Sequence, residues 1–162
     1  MLTVRQAALD DLGQITEIYN DAIKKTTATF DTEPKTLEEQ EEWFTNHDAK
    51  HPVMTAEQDG IIVGWASLSE WSDRCAYSDT AEISLYVKEK HRGKGIGKEL
   101  MKAIIQEGQK IGLHTVIARI ADGNDISIEL CKSFGFQHIG TIREVGKKFG
   151  KLLDVHLMQL IF

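Results

Sequence analysis

Arg92-Gly93-Lys94-Gly95-Ile96-Gly97 stands between a stretch patterned like a strand, Ala81 to Val87, and an amphipathic helical pattern running from about Ile96 to Ile111. Three glycines within five residues, set where a strand gives way to a helix, let the backbone approach a ligand closely and aim several free N–H groups at it. The helix macrodipole adds positive potential at the N-terminus, and Lys88, Lys90, Arg92, Lys94 and Lys98 gather cationic side chains around the same turn. The stretch therefore reads as a cradle for a phosphorylated ligand. Spacing separates it from two other phosphate motifs. A P-loop ends in Gly-Lys followed by Ser or Thr, whereas Gly97-Lys98 is followed by Glu99, with no hydroxyl for magnesium. The dinucleotide fingerprint G-x-G-x-x-G fails too, because Gly93, Gly95 and Gly97 give G-x-G-x-G, and outside the first strand-helix-strand unit. What remains is R-x-x-G-x-G.

Composition bounds the partner. With 162 residues, 41% of them hydrophobic, the chain is expected to form one domain over residues 1–162 around one sizeable core. A net charge of −6 argues against nucleic acid as the main partner, since phosphate neutralisation needs a basic face. The basic cluster at residues 88–98 is then local and sized for a small ligand. Cys75 and Cys131 have no C-x-x-C spacing, the N-terminal Met-Leu-Thr-Val-Arg-Gln shows no apolar signal region, and no apolar run approaches membrane-spanning length. A cytoplasmic protein without a membrane partner is expected. The 6 histidines show no paired ligand spacing and no G-x-S-x-G nucleophile motif occurs, so no metal and no covalent enzyme intermediate are implied.

Periodicity supplies the remaining elements. Leu2 to Arg5 reads as a strand; Asp10-Asp11 introduce a helix with Leu12, Ile15, Ile18, Tyr19 and Ile23 on one face; Thr36 and Glu39 form a capping box for a helix to about Asn46. Between them lies a polar, β-branched loop, Thr26 to Pro34, in which Phe30 is the odd apolar residue. Pro52 to Glu57 and Ile61 to Leu68 flank a tight Asp59-Gly60 hairpin turn. Trp71 to Asp79 reads as a loop, Thr115 to Ala121 as a strand, Asn124 to Phe134 as a helix closed by Gly135, and Phe136–Ile142 and Leu152–Leu160 as late strands. Strands and helices mix in an α/β (α+β) pattern with a mixed sheet.

These residues together resemble the GCN5-related N-acetyltransferases, and within them the phosphinothricin and amino-acid N-acetyltransferase branch. The resemblance rests on Thr29-Phe30, Arg74-x-Ala76-Tyr77 ahead of Thr80-x-Glu82, Leu85-Tyr86-Val87, Arg92 to Gly97, Asn124-x-x-Ser127, Phe134-Gly135-Phe136, and Val145 to Gly150 ahead of Asp154-Val155. It implies a mostly antiparallel twisted sheet of about seven strands flanked by about four helices, with a splayed central strand pair that holds acetyl-CoA. It also implies acetyl transfer to the primary amine of a small amino-acid-like acceptor of the phosphinothricin, methionine sulfoximine or methionine sulfone type. On this resemblance the CoA diphosphate lies on Arg92, Gly93, Lys94, Gly95, Ile96, Gly97 and Lys98, the pantetheine arm pairs with Leu85, Tyr86 and Val87, and Asn124 and Ser127 reach the cofactor. A homodimer is the expected assembly, with Trp71, Leu157 and Leu160 as candidates for its face.

Attack on a thioester needs a neutral amine, so a proton acceptor is required. Glu82 is the expected base, on the same strand face as Ser84 and Tyr86, with a backbone N–H near Tyr86 or Val87 available to the oxyanion. Phe30, Arg74, Tyr77, Ile83 and Ser84 complete the expected acceptor pocket, Arg74 pairing with a carboxylate through its planar fork. Asn124 also has the character of an N-cap. Two positions depart from the family: Cys131 stands where many relatives carry a tyrosine acid, and reads as a packing residue, and Phe149 stands where branch members can carry a histidine. A non-catalytic acyl-CoA sensor, or an enzyme acting on a protein or peptide amine, is the alternative.

Overall fold

The computed structural model describes residues 1–162, and its elements follow the local chemistry closely. In chain order they are β1 (Leu2–Gln6), α1 (Leu12–Lys25), α2 (Leu37–Thr45), β2 (Val53–Gln58), β3 (Ile61–Glu70), β4 (Thr80–Val87), α3 (Ile96–Lys110), β5 (Thr115–Ala121), α4 (Asp125–Ser133), β6 (Gln137–Lys148) and β7 (Lys151–Ile161). The capping box forms: Thr36 Oγ1 accepts from the Glu39 N–H at 3.1 Å, and Glu39 Oε1 accepts from the Thr36 N–H at 3.4 Å. Asp59 and Gly60 take φ of 53° and 79°, both in the left-handed region that a tight two-residue hairpin demands. Asp11 serves α1 indirectly. Its carboxylate grips Arg5 at 2.7 and 2.9 Å and accepts from the Ala8 N–H at 2.7 Å, pinning the chain between β1 and α1.

All seven strands join one sheet in the order β1-β2-β3-β4-β5-β7-β6. Every pairing is antiparallel except β4 with β5, which is parallel and covers only Thr80↔Thr115, Ala81↔Val116 and Glu82↔Ile117. One face carries the larger core, where Leu100, Met101, Ile104 and Ile105 of α3 lie against Ala66, Leu68, Val116, Ala118 and Met158. The other carries Ile15 and Ile18 of α1 against Val53, Ile62 and Trp65, with Tyr19, Trp43 and Tyr86 at its margin.

The last hairpin is longer than the sequence pattern indicates. β6 continues past Ile142 to Lys148, because the register shifts between Ile142 and Gly146 and Glu144 sits at φ 52°, which breaks the alternation without ending the strand. Phe149 and Gly150, at φ 53° and 73°, make the turn into β7.

Candidate active site

Short β4–β5 pairing opens the sheet in its middle. The Lys88 N–H donates to the Val63 carbonyl at 2.8 Å, so even-numbered residues of β4 exchange hydrogen bonds with β3. Odd-numbered residues therefore direct N–H and C=O toward β5. At the paired end this is realised by the Asp79 carbonyl, which accepts from His114 and Thr115. Beyond Glu82 no strand lies alongside, and Ile83, Leu85 and Val87 face the opening. This assigns the strand donor: Leu85 and Val87 offer N–H groups there, whereas that of Tyr86 is committed to Trp65 across the β3 ladder.

A cavity of about 540 Å³ fills the opening, with Glu82, Ser84 and Leu85 of β4 on one side, Ala118, Arg119 and Ala121 of β5 on the other, and Asn124, Ser127 and Cys131 of α4 at its back. Past its end lies the glycine turn. Gly93 and Gly95 take φ of 76° and 84°, a left-handed form that glycine adopts without strain and a side chain would not, and a β-carbon at either would meet nothing within 4 Å, so the outer side of the turn stays open. Gly95 heads α3 without any side-chain cap, which leaves the first N–H groups of that helix unpaired. A β-carbon added at Gly97 would lie 3.6 to 3.8 Å from the side chains of Leu130, Leu85 and Val87, so this glycine faces the cavity walls rather than solvent. The Arg92 guanidinium folds back and donates to the Val87 carbonyl at 3.1 Å.

Glu82 occupies the point where β4 and β5 part. Its two carboxylate oxygens accept from Arg119 Nε at 2.7 Å and Nη2 at 2.6 Å, and this fork raises the Arg119 pKa further above its ordinary value. Arg119 also lies over the Trp71 ring, 5.5 Å from its centroid. Opposite, residues 27–31 close the cavity as a loop held from several directions. Tyr19 donates to Asp31 and bonds Thr29 Oγ1 at 3.0 Å; Tyr86 donates to the Ala28 carbonyl at 3.4 Å; Asn124 donates to Thr27 Oγ1 at 3.3 Å. Buried Lys148 reaches across from β6 to the Thr29 carbonyl at 2.7 Å, and its burial lowers its pKa. Burial raises the pKa of both Tyr19 and Tyr86, so they stay protonated donors. The Phe30 ring lies against Gly146, where an added β-carbon would come within 2.2 Å of it.

Most of the sequence-derived site residues converge here. Glu82, Ile83, Ser84, Leu85, Tyr86, Phe30, Asn124 and Ser127 all line the cavity, and Val87 with Arg92 to Lys98 extends it toward α3. Arg74 and Tyr77 are not brought to it. They lie exposed on a single helical turn at Cys75–Tyr77, beyond the end of β3. Asn124 opens α4 by backbone only: its side chain makes no cap and instead donates to the Ala121 carbonyl at 2.9 Å and to Thr27. Cys131 is buried, with its thiol pushed up to about 12 by desolvation, in keeping with a packing role. Phe149, 58% exposed at the β6–β7 turn, lies outside the cavity. Sequence reasoning missed Arg119, Lys148 and Gly146, each of which acts through a partner distant in the chain.

The Acetyltransferase (GNAT) family model matches residues 15–136 of this chain. An L-methionine sulfoximine/L-methionine sulfone acetyltransferase of Pseudomonas aeruginosa is 38% identical over 160 residues, covering 98% of this chain and 93% of its own. A phosphinothricin N-acetyltransferase of Streptomyces coelicolor is 38% identical over 156 residues, covering 94% and 91%. Among solved structures, a phosphinothricin acetyltransferase from Sinorhizobium meliloti in complex with AcCoA superposes with a TM-score of 0.96 at 32% identity, covering 99% of this chain and 88% of that one.

Proposed function

Because this chain belongs to the GNAT acetyltransferase family, we propose that it passes the acetyl group of acetyl-CoA directly to an amine within a ternary complex, by chemistry that needs no metal. It is an acetyl-CoA-dependent N-acetyltransferase, and its acceptors are small amino-acid-like amines of the phosphinothricin, methionine sulfoximine and methionine sulfone type. The observation that carries the mechanism is the opened β4–β5 pair, with the Leu85 and Val87 backbone facing a cavity that has Glu82 at its apex. From Glu82 to Val87 is roughly 16 Å of strand at about 3.3 Å per residue, a span that suits an extended pantetheine arm. Residues 93–98 would hold the diphosphate on main-chain N–H groups, and Asn124 and Ser127 would flank the arm from α4.

Within this reading Glu82 takes one proton from the acceptor's ammonium group. The freed lone pair forms the C–N bond as the thioester C–S bond breaks, and the second amine proton ends on the CoA sulfur. The β4 N–H groups facing the opening stabilise the charge that builds on the thioester oxygen. A thiol as weakly acidic as Cys131 protonates no leaving group better than the CoA thiol itself would, so no general acid is assigned to it. Glu82→Gln is expected to lower turnover by about 10²- to 10⁴-fold while calorimetry finds acetyl-CoA binding unchanged; normal turnover in that variant removes Glu82 as the base. The size of the cavity, about 540 Å³, supports a free amino acid over a protein or peptide acceptor.

The same reading takes residues 1–162 as one N-acetyltransferase domain working as a cytoplasmic homodimer. Ile142, Val145, Phe149 and Leu152 expose apolar side chains along the β6–β7 hairpin, and β6 is a sheet edge, which supports pairing through that arm rather than through Trp71, Leu157 and Leu160. No helix is long and apolar enough to cross a membrane, and Cys75 and Cys131 are both free thiols.

A further inference from the structure

An amino-acid acceptor brings two charges to the cavity, an ammonium and a carboxylate, and each needs a counterpart there. Among the side chains lining the cavity, Glu82 and Asp31 are the anions and Arg119 is the only cation. Lys148, the other nearby candidate, is committed to the Thr29 carbonyl. Arg74 lies exposed on the Cys75–Tyr77 turn, away from the cavity walls. Arg119 is well suited to a change of partner. Its side chain is 54% exposed, against 20% for Glu82, and Trp71 supports its guanidinium plane from the side. Nε and Nη2 hold Glu82, which leaves Nη1 with no protein acceptor and aimed from a half-exposed position.

We propose that Arg119 is the anchor for the acceptor's carboxylate, and that in binding it the guanidinium loosens its hold on Glu82. The inference rests on the amino-acid acetyltransferase reading and assigns the part of the site that reading leaves open. In the resting protein the Arg119–Glu82 pair is an internal salt bridge with the charges of a zwitterion. An incoming amino acid exchanges partners with it, carboxylate to Arg119 and ammonium to Glu82. The exchange replaces one ion pair within the protein by two between protein and acceptor, and sets the ammonium on the group that must deprotonate it. An amine without a carboxylate leaves Arg119 on both oxygens of Glu82, so its ammonium meets a carboxylate that is already occupied.

The test compares L-methionine sulfone with its decarboxylated amine in wild type, Arg119→Lys and Arg119→Met, following thiol release from acetyl-CoA. In Arg119→Met the KM for the amino acid is expected to rise at least about 30-fold, while that for the decarboxylated amine, which no longer has to displace Arg119 from Glu82, does not rise. Arg119→Lys should fall between, because an ammonium keeps the charge without the fork. Equal losses for both acceptors would mean that Arg119 only supports Glu82 structurally, and would overturn the proposal. Calorimetry reads the same contact without turnover. The product N-acetyl-L-methionine sulfone keeps the carboxylate and lacks the ammonium; titrated into CoA-loaded protein, it should bind about threefold or more tightly to Glu82→Gln than to wild type, because the competing carboxylate is gone. Binding to Arg119→Met should be lost. Unchanged affinity in both variants overturns the anchor, even if wild type acetylates amino acids. Wild type that binds the product through Arg119 yet acetylates no amine would instead sink the acetyl-transfer reading.

Discussion

Gly146 has the least room for a side chain of any glycine in the chain, because the ring of Phe30 already occupies the space a β-carbon would need. Gly146→Ala is expected to push Phe30 from the cavity wall, destabilise the protein by about 1–3 kcal/mol in urea unfolding, and raise the acceptor KM with little change in affinity for acetyl-CoA. An unaltered acceptor KM would mean that Phe30 is not a wall for the acceptor. Phe30 was legible in the sequence as an apolar residue stranded in a polar loop. Its partner was not, since nothing in Glu144-Val145-Gly146-Lys147 announces that a β6 glycine faces residue 30. Arg119 escaped for a related reason: inside Thr-Val-Ile-Ala-Arg-Ile-Ala it reads as one polar position on a strand, and its role exists only because β5 leaves β4 just before it.

At the level of elements, the glycine turn and α3 behave as one device. Gly95 ends the turn at φ 84° and heads the helix with open space where a β-carbon would project. Gly95→Ala should cost about 1 kcal/mol of stability through backbone strain alone. It should also weaken acetyl-CoA binding, by about tenfold in calorimetry. A stability loss with no change in binding would separate the turn from the diphosphate. Elements with a strong local cause were legible: the capping box of α2, the Asp59-Gly60 hairpin and the amphipathic faces of α1 and α3. The second half of β6 was not, because a residue at positive φ and a register shift interrupt the period on which strand recognition depends. Lys148 shows the same limit in another form. A lysine near a turn reads as solvated, yet here it is buried and fastens β6 to the loop at Thr29.

Across the whole molecule, the α1–α2 face of the sheet carries a source of acid sensitivity. On the α1–α2 side, His47 bonds the Trp43 carbonyl at 2.7 Å through Nδ1 and Ser69 Oγ at 2.9 Å through Nε2, and burial lowers its pKa below the ordinary 6.5. Below about pH 6.5 the unfolded chain takes up a proton at this position that the folded chain refuses, so stability falls as the pH drops from there to the depressed folded value. Its neighbours act in a lower window: His51 holds Asp48 at 2.7 Å and keeps that carboxylate below its ordinary 3.8. Urea midpoints measured at pH 7.5 and pH 5.5 should therefore differ more in wild type than in His47→Gln. Equal differences would remove His47 as a source of the acid sensitivity.

The alternation along β4 has a consequence for how such a protein can change over time. Only every second peptide between Glu82 and Val87 faces the gap, and the count from Glu82 to the glycine turn is fixed by the strand itself. Side chains there are free to be exchanged one for another, as far as packing allows. Losing or gaining a single position would swap the two sets of amides, burying in the β3 ladder those that now face the gap and presenting the others. This stretch should thus tolerate spelling changes but no insertions or deletions, and lineages that vary in length will have done so in the loop from Trp71 to Asp79 instead.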